Sequence, residues 1–174
     1  FYTKLSGHLP ERTVILTDSS TMLPSMFAEA TGRPDKYMSL HFGNQIWRNN
    51  MTELMRHDGT DPEVFELAAP FAEAIGMVPL KLNREQPGYI LNSLLIPWFK
   101  AATSLVATGV CDAETVDKCW ELATGADPGQ TPFRKLDKIG LVLARNILSM
   151  DPAAKDPASG LAKSVTMLNG YIDE

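Results

Sequence analysis

The chain has few of the residues that build metal and redox centres: two cysteines and three histidines among 174 residues. Cys111 and Cys119 stand eight apart; on one helix the rise of about 12 Å between them exceeds the ~7 Å that a disulfide tolerates. With no Cys-x-x-Cys and no histidine cluster, zinc-site spacing is absent. Both thiols therefore read as small buried hydrophobes in a reducing compartment. Positive charge is also scarce, 16 Lys and Arg against 21 Asp and Glu, for a formal net charge of −5. No clustered basic face is present, which excludes a surface that tracks nucleic-acid phosphates. The opening Phe-Tyr-Thr-Lys-Leu-Ser-Gly-His has neither region of a secretory leader, and a cytoplasmic setting is expected. Glycine and proline, 12 each, show no period, which removes collagen-like and low-complexity chains.

What remains is globular: 44% hydrophobic and 21% charged residues, enough for one domain or two small ones. Residues 13–17 are a β-branched apolar run and read as a buried strand. A short helix from Pro24 to Ala30, closed by Gly32, and a second strand from Tyr37 to Phe42 complete βαβ spacing. Asp58-Gly59-Thr60 is a turn and His57 beside it a solvated turn residue; Asp61 caps a helix with Pro62 at its first position. Val64, Leu67, Ala68, Phe71 and Ile75 give that helix its apolar repeat, Gly76 stops it, and Met77 to Leu82 reads as another strand.

Beyond the Pro87-Gly88 hinge the texture changes. Residues 90–110 are almost all apolar or small, a run long enough to span a bilayer. Asn92, Pro97 and Lys100 lie inside it, and an unpaired lysine at mid-bilayer costs roughly 2.5–3.5 kcal/mol. A buried helix, covered by other helices or a second subunit, is expected instead of a membrane span. Helices at 113–123 (capped by Asp112), 133–149 and 157–170 follow, with no strand pattern after Leu82. The expected fold is an α/β part over residues 1–84 and an all-α part over 85–174, mainly helical overall.

Few residues can carry chemistry. His8 lies in a polar, glycine- and proline-flanked stretch and reads as surface. His41 closes an apolar strand, and ligands gather at the carboxyl ends of strands in open α/β sheets. Ser20 lies just past the end of its own strand and projects to the same edge. A satisfied core histidine is the alternative. Glu53, in Met-Thr-Glu-Leu-Met, is either a solvated edge residue or a carboxylate partner that fixes the His41 tautomer. Asn92, at the start of a greasy helix, is either a packing amide or a polar group facing a cleft between two domains.

These residues stand in a recognisable order. Thr17-Asp18-Ser19-Ser20-Thr21, Leu40-His41-Phe42-Gly43-Asn44, Thr52-Glu53-Leu54-Met55 and the run from Glu85 through Pro87-Gly88-Tyr89-Ile90-Leu91-Asn92 to Pro97 closely resemble the 3-hydroxyacyl-CoA dehydrogenase family. Leu136-Asp137-Lys138-Ile139-Gly140-Leu141 matches its Leu-Asp-x-x-Gly-Leu, and the short-chain 3-hydroxybutyryl-CoA type is the nearest variant. The resemblance implies the C-terminal half of a Rossmann-type NAD-binding domain followed by a helical substrate and dimerisation domain. It implies His41 as catalytic acid/base, Glu53 as its carboxylate, and Ser20 and Asn92 as holders of the substrate hydroxyl and thioester carbonyl. Ser20 and Asn44 would lie by the nicotinamide ribose. NAD, an acyl-CoA substrate, fatty acid metabolism and a homodimer formed through the helical part are implied with them.

Three departures stand out. Asn44-Gln45 replaces the usual Asn-Pro, and Gln130-Thr131-Pro132-Phe133 replaces Gly-Pro-Phe. No Gly-x-Gly-x-x-Gly is present, although the pyrophosphate of a dinucleotide needs that loop. The chain is therefore expected to be a truncated fragment that does not turn over alone. The alternative to the dehydrogenase is a non-catalytic acyl-CoA-binding or dimerisation module of the same fold. A Ser-His hydrolase is disfavoured because Ser20 has no Gly-x-Ser-x-Gly elbow.

Overall fold

The β-branched and apolar runs form one mixed four-stranded sheet in the order β1 (Ile15–Thr17), β2 (Tyr37–Phe42), β3 (Met51–Met55), β4 (Val78–Leu82). β1 is parallel to β2 and β3 to β4, whereas β2 and β3 are antiparallel. Residues 1–173 are described, and they divide into two compact units, Phe1–Ser93 and Leu94–Glu174.

In the first unit, side chains alternate across the sheet with period two. Met38, Leu40 and Leu54 pack with Val64, Phe65, Ala68 and Ala72 of α2 (Pro62–Ala74). The Asp61 carboxylate caps α2 by accepting from the Glu63 N–H at 2.8 Å. Its buried stripe differs from the expected repeat, for Leu67, Phe71 and Ile75 are exposed. The small Ala68 and Ala72 let the helix lie close to the sheet, which turns the larger residues outward. On the opposite face, Met55 and Leu82 pack with Tyr89, so Ser39, His41 and Glu53 share a side with the start of α3 (Tyr89–Ala107).

Several expectations need correction. β3 was not legible as a strand. The segment expected as a helix from Pro24 to Ala30 is two 3₁₀ turns, Pro24–Met26 and Glu29–Thr31, with Gly32 left-handed at φ 65° as their stop. The Thr31 hydroxyl bonds back to the Ala28 carbonyl at 2.5 Å, a local competitor to helical continuation. His57 is buried rather than solvated. Its Nδ1 accepts from the Gly59 N–H at 3.1 Å and its Nε2 donates to the Pro34 carbonyl at 3.0 Å. Preceding the first strand, the short helix α1 (Tyr2–Ser6) is tied down by Arg33, whose guanidinium bonds the carbonyls of Ser6, Leu9, Pro10 and Thr13.

The second unit is helical: α4 (Ala113–Thr124), α5 (Pro132–Ile139), α6 (Leu141–Ser149) and α7 (Gly160–Asp173) follow the rest of α3. The helix expected at 133–149 is broken at Gly140, whose φ of 88° and ψ of 133° lie outside helical space. Asp117 caps α5, accepting from the Phe133 N–H at 2.9 Å and the Thr131 hydroxyl at 2.7 Å. Two cores form, Phe99 with Leu136 and Ala144, and Leu148 with Leu161 and Leu168. By length and composition α3 could cross a membrane, but Lys100 pairs with Asp151. The expectation that α3 is buried does not hold within this chain: only 17% of its most apolar stretch is covered. Nor are the thiols core residues, since Cys119 is exposed and Cys111 half-buried; α4 buries no residue fully.

Candidate active site

His41 and Glu53 are twelve residues apart and face each other directly in the antiparallel register of β2 and β3. Opposed residues in such a ladder point to the same side, so register alone brings imidazole and carboxylate together. His41 Nδ1 lies 3.0 Å from Glu53 Oε2, and both side chains are nearly or fully buried, at 8% and 0% exposure. A carboxylate only accepts, so the neutral ring carries its proton on Nδ1.

Burying a carboxylate is costly unless it is fully hydrogen-bonded. Glu53 meets that condition through a second element. Its other oxygen, Oε1, accepts from the backbone N–H groups of Ile90 at 2.8 Å and Leu91 at 2.9 Å. These are orphan donors in the first turn of α3, where the helix dipole also favours negative charge. Gly88 at φ 78° and Tyr89 at φ 54° turn the chain into that position, the second being a conformation that non-glycine residues enter at a cost. The α3 start has no acidic residue of its own; the carboxylate arrives from β3 instead.

With Nδ1 committed, the distal Nε2 of His41 has no hydrogen-bond partner among the described residues and is not sealed from solvent. One ring face stacks on Tyr89, centroids 4.3 Å apart and planes 16° from parallel. The Tyr89 hydroxyl donates to the Ser19 carbonyl at 2.7 Å. Burial raises its phenol above the ordinary range, the Ser39 hydroxyl opposes that shift, and the carboxylates of Asp18, Glu53 and Glu85 reinforce it. Tyr89 is therefore a neutral donor at physiological pH.

Two of the other expected residues, Ser20 after β1 and Asn92 in the first turns of α3, meet each other. Asn92 Nδ2 donates to Ser20 Oγ at 3.1 Å. Asp18, which sequence reasoning passed over, accepts from the Phe42 N–H at 2.9 Å and fastens the Ser19–Ser20 loop beside the end of β2. Thr52 was missed as well; its buried hydroxyl donates to the His41 carbonyl at 3.0 Å. A carboxylate directly after a buried strand could have pointed to Asp18, whereas Thr52 gave no sign before β3 was known. Asn44 follows β2 and is exposed, its side chain unpartnered among the described residues and its carbonyl accepting from Asn49 Nδ2. No group of three or more potential metal ligands occurs among the described residues.

Comparisons with known proteins give the family. Residues 1–86 match the family described as 3-hydroxyacyl-CoA dehydrogenase, NAD binding domain, and residues 88–171 match 3-hydroxyacyl-CoA dehydrogenase, C-terminal domain. Human mitochondrial hydroxyacyl-coenzyme A dehydrogenase is 30% identical over 140 residues, 80% of this chain and 44% of the relative. A 3-hydroxybutyryl-CoA dehydrogenase from Clostridioides difficile is 29% identical over 140 residues, 80% of this chain and 49% of the relative. The chain thus spans about half the length of these relatives. A solved diketoreductase, described as acting on dicarbonyl compounds, superposes with TM-score 0.89 at 44% identity, covering 99% of this chain and 58% of that one.

Proposed function

The chain belongs to the 3-hydroxyacyl-CoA dehydrogenase family, and on that premise we propose that it is the proton-handling part of an NAD-dependent dehydrogenase. The reaction is the interconversion of an L-3-hydroxyacyl-CoA and a 3-oxoacyl-CoA. The observation that carries this reading is the buried His41–Glu53 pair with an unpaired Nε2. The residues present fit the nicotinamide end of the cofactor: Ser20 and Asn44 follow the parallel strands β1 and β2, and the Asn44 amide is free to bond a ligand. They do not supply a pyrophosphate cradle, since no Gly-x-Gly-x-x-Gly occurs.

When bound, NAD supplies the hydride acceptor; this chain manages the proton. A substrate hydroxyl hydrogen-bonded to His41 Nε2 gives its proton to that nitrogen, and in reduction the same nitrogen returns it. The imidazolium that forms is stabilised by Glu53, whose charge is held in place by the Ile90 and Leu91 N–H groups. In this reading Ser20 and Asn92, bonded to each other, hold the substrate hydroxyl and thioester carbonyl. Fatty acid metabolism, a cytoplasmic setting, a homodimer through the helical part, and no membrane or nucleic-acid partner belong to this proposal. The exposed apolar side chains of α3, Leu94 and Leu105 among them, support a partner-covered helix.

A second reading, reduction of a small dicarbonyl compound, is favoured by the 44% identity to the diketoreductase. The test joins the chain to the amino-terminal half of a cofactor domain and follows NADH oxidation with acetoacetyl-CoA and with a dicarbonyl free of CoA. The dehydrogenase reading expects turnover of acetoacetyl-CoA, lost in His41→Gln with acyl-CoA binding unchanged. Preference for the free dicarbonyl replaces the substrate assignment. No turnover of either by the unmutated protein refutes the dehydrogenase and favours a binding module.

A further inference from the structure

Tyr89 is fully buried, yet it sits in a left-handed conformation at φ 54° that favours glycine. A buried aromatic side chain that could be placed without backbone strain has no reason to adopt this conformation, so its contacts must hold it there. Two of those contacts are with residues of the proposed site. The ring lies almost flat on the His41 imidazole, 4.3 Å between centroids, and the hydroxyl reaches the carbonyl of Ser19, next to Ser20. The backbone immediately after it supplies the two N–H groups that hold Glu53.

We propose that Tyr89 is a positioning residue for two groups at once: its ring fixes the plane of His41 against Glu53, and its hydroxyl fixes the Ser20 loop. This rests on the dehydrogenase reading for its consequence in catalysis, but not for its structural content. An imidazole held by one hydrogen bond can still rotate about Cβ–Cγ. A flat aromatic surface on one side removes that freedom and shields the Nδ1 proton from water. The Ser19 carbonyl, bonded by a buried donor, sets where the next hydroxyl stands relative to Nε2. Ring and hydroxyl thus have separable effects.

The chain itself, without cofactor or substrate, answers the first part. The exchange lifetime of the His41 Nδ1 proton is measured by NMR, its signal identified by its loss in His41→Gln. Tyr89→Leu is expected to shorten that lifetime at least tenfold, and Tyr89→Phe to leave it within twofold. An unchanged lifetime in Tyr89→Leu overturns the inference. Should Tyr89→Leu not fold, Tyr89→Phe still tests the second part. It is expected to lower the ¹⁵N backbone order parameter of Ser20 from the rigid range near ~0.85 toward about 0.6 and, in the extended enzyme, to lower kcat with KM little changed. An unaltered Ser20 order parameter in Tyr89→Phe overturns the hydroxyl role. If the dehydrogenase reading fails instead, the extended unmutated enzyme shows no turnover while both NMR responses persist.

Discussion

Replacing Glu53 by glutamine tests whether the carboxylate sets the protonation state of His41. The substitution is nearly isosteric at a site with no solvent exposure. The Ile90 and Leu91 N–H groups at 2.8 and 2.9 Å require an acceptor, so the amide oxygen must face them. That places the NH₂ against His41 Nδ1, which must become an acceptor, and the neutral ring moves its proton to Nε2. The nitrogen needed as a base is then protonated in the neutral ring. A wrong tautomer with intact geometry lowers kcat by up to about 10⁴ in a serine-protease triad, and a drop of roughly 10²–10⁴ is expected here. Stability changes less. The variant loses charge-assisted hydrogen bonds of about 1.5–3 kcal/mol each, but it also removes a buried charge whose desolvation offsets much of that. The net change is expected within about 2 kcal/mol, or under ~8 °C in melting temperature for a chain of this size. Steady-state rates of the extended enzyme and thermal melting of the chain are the assays. A rate loss below tenfold, or a loss matched by unfolding, refutes the reasoning.

Arg33→Leu removes the donor to four carbonyls of residues 6–13; a loss of about 2–4 kcal/mol is expected from denaturant melts, with amide exchange rising first in α1. Asp112 is held below the ordinary carboxylate range by the Thr115 hydroxyl and N–H that it accepts from. Its folded-state value being depressed, its contribution is present above the unfolded value and fades as pH falls through the folded one. Asp112→Ala should therefore lower the helicity and melting temperature of the second unit at neutral pH but not at strongly acid pH, as followed by circular dichroism.

Much of the candidate site could be read in advance because its residues sit in short motifs. The motifs around Ser20, His41, Glu53 and Asn92 carry the resemblance, and the fold pairs His41 with Glu53 and Ser20 with Asn92. What escaped reading were features set by tertiary context. Met-Thr-Glu-Leu-Met lacks the β-branched density of a strand and centres on a charge, so β3 emerges only from pairing with β2 on one side and β4 on the other. Its carboxylate is tolerable there because the start of α3 satisfies it, a partner 37 residues away. His57 looked like a turn residue because its turn is real, but the turn folds back over the ring and buries it. Leu67, Phe71 and Ile75 obeyed helical spacing and still point outward, because period alone does not say which side of a helix meets the sheet. Gly140 could be matched to a motif, yet only its backbone angles reveal that it ends one helix and starts the next.

The protonation of His41 is the most direct measurement. With only three imidazoles in the chain, ¹⁵N NMR at neutral to mildly alkaline pH distinguishes the tautomers one by one. The neutral ring of His41 is expected to bear its hydrogen on Nδ1, bonded to Glu53, with Nε2 showing the shift of an unprotonated nitrogen. A neutral His41 carrying its hydrogen on Nε2 would contradict the account.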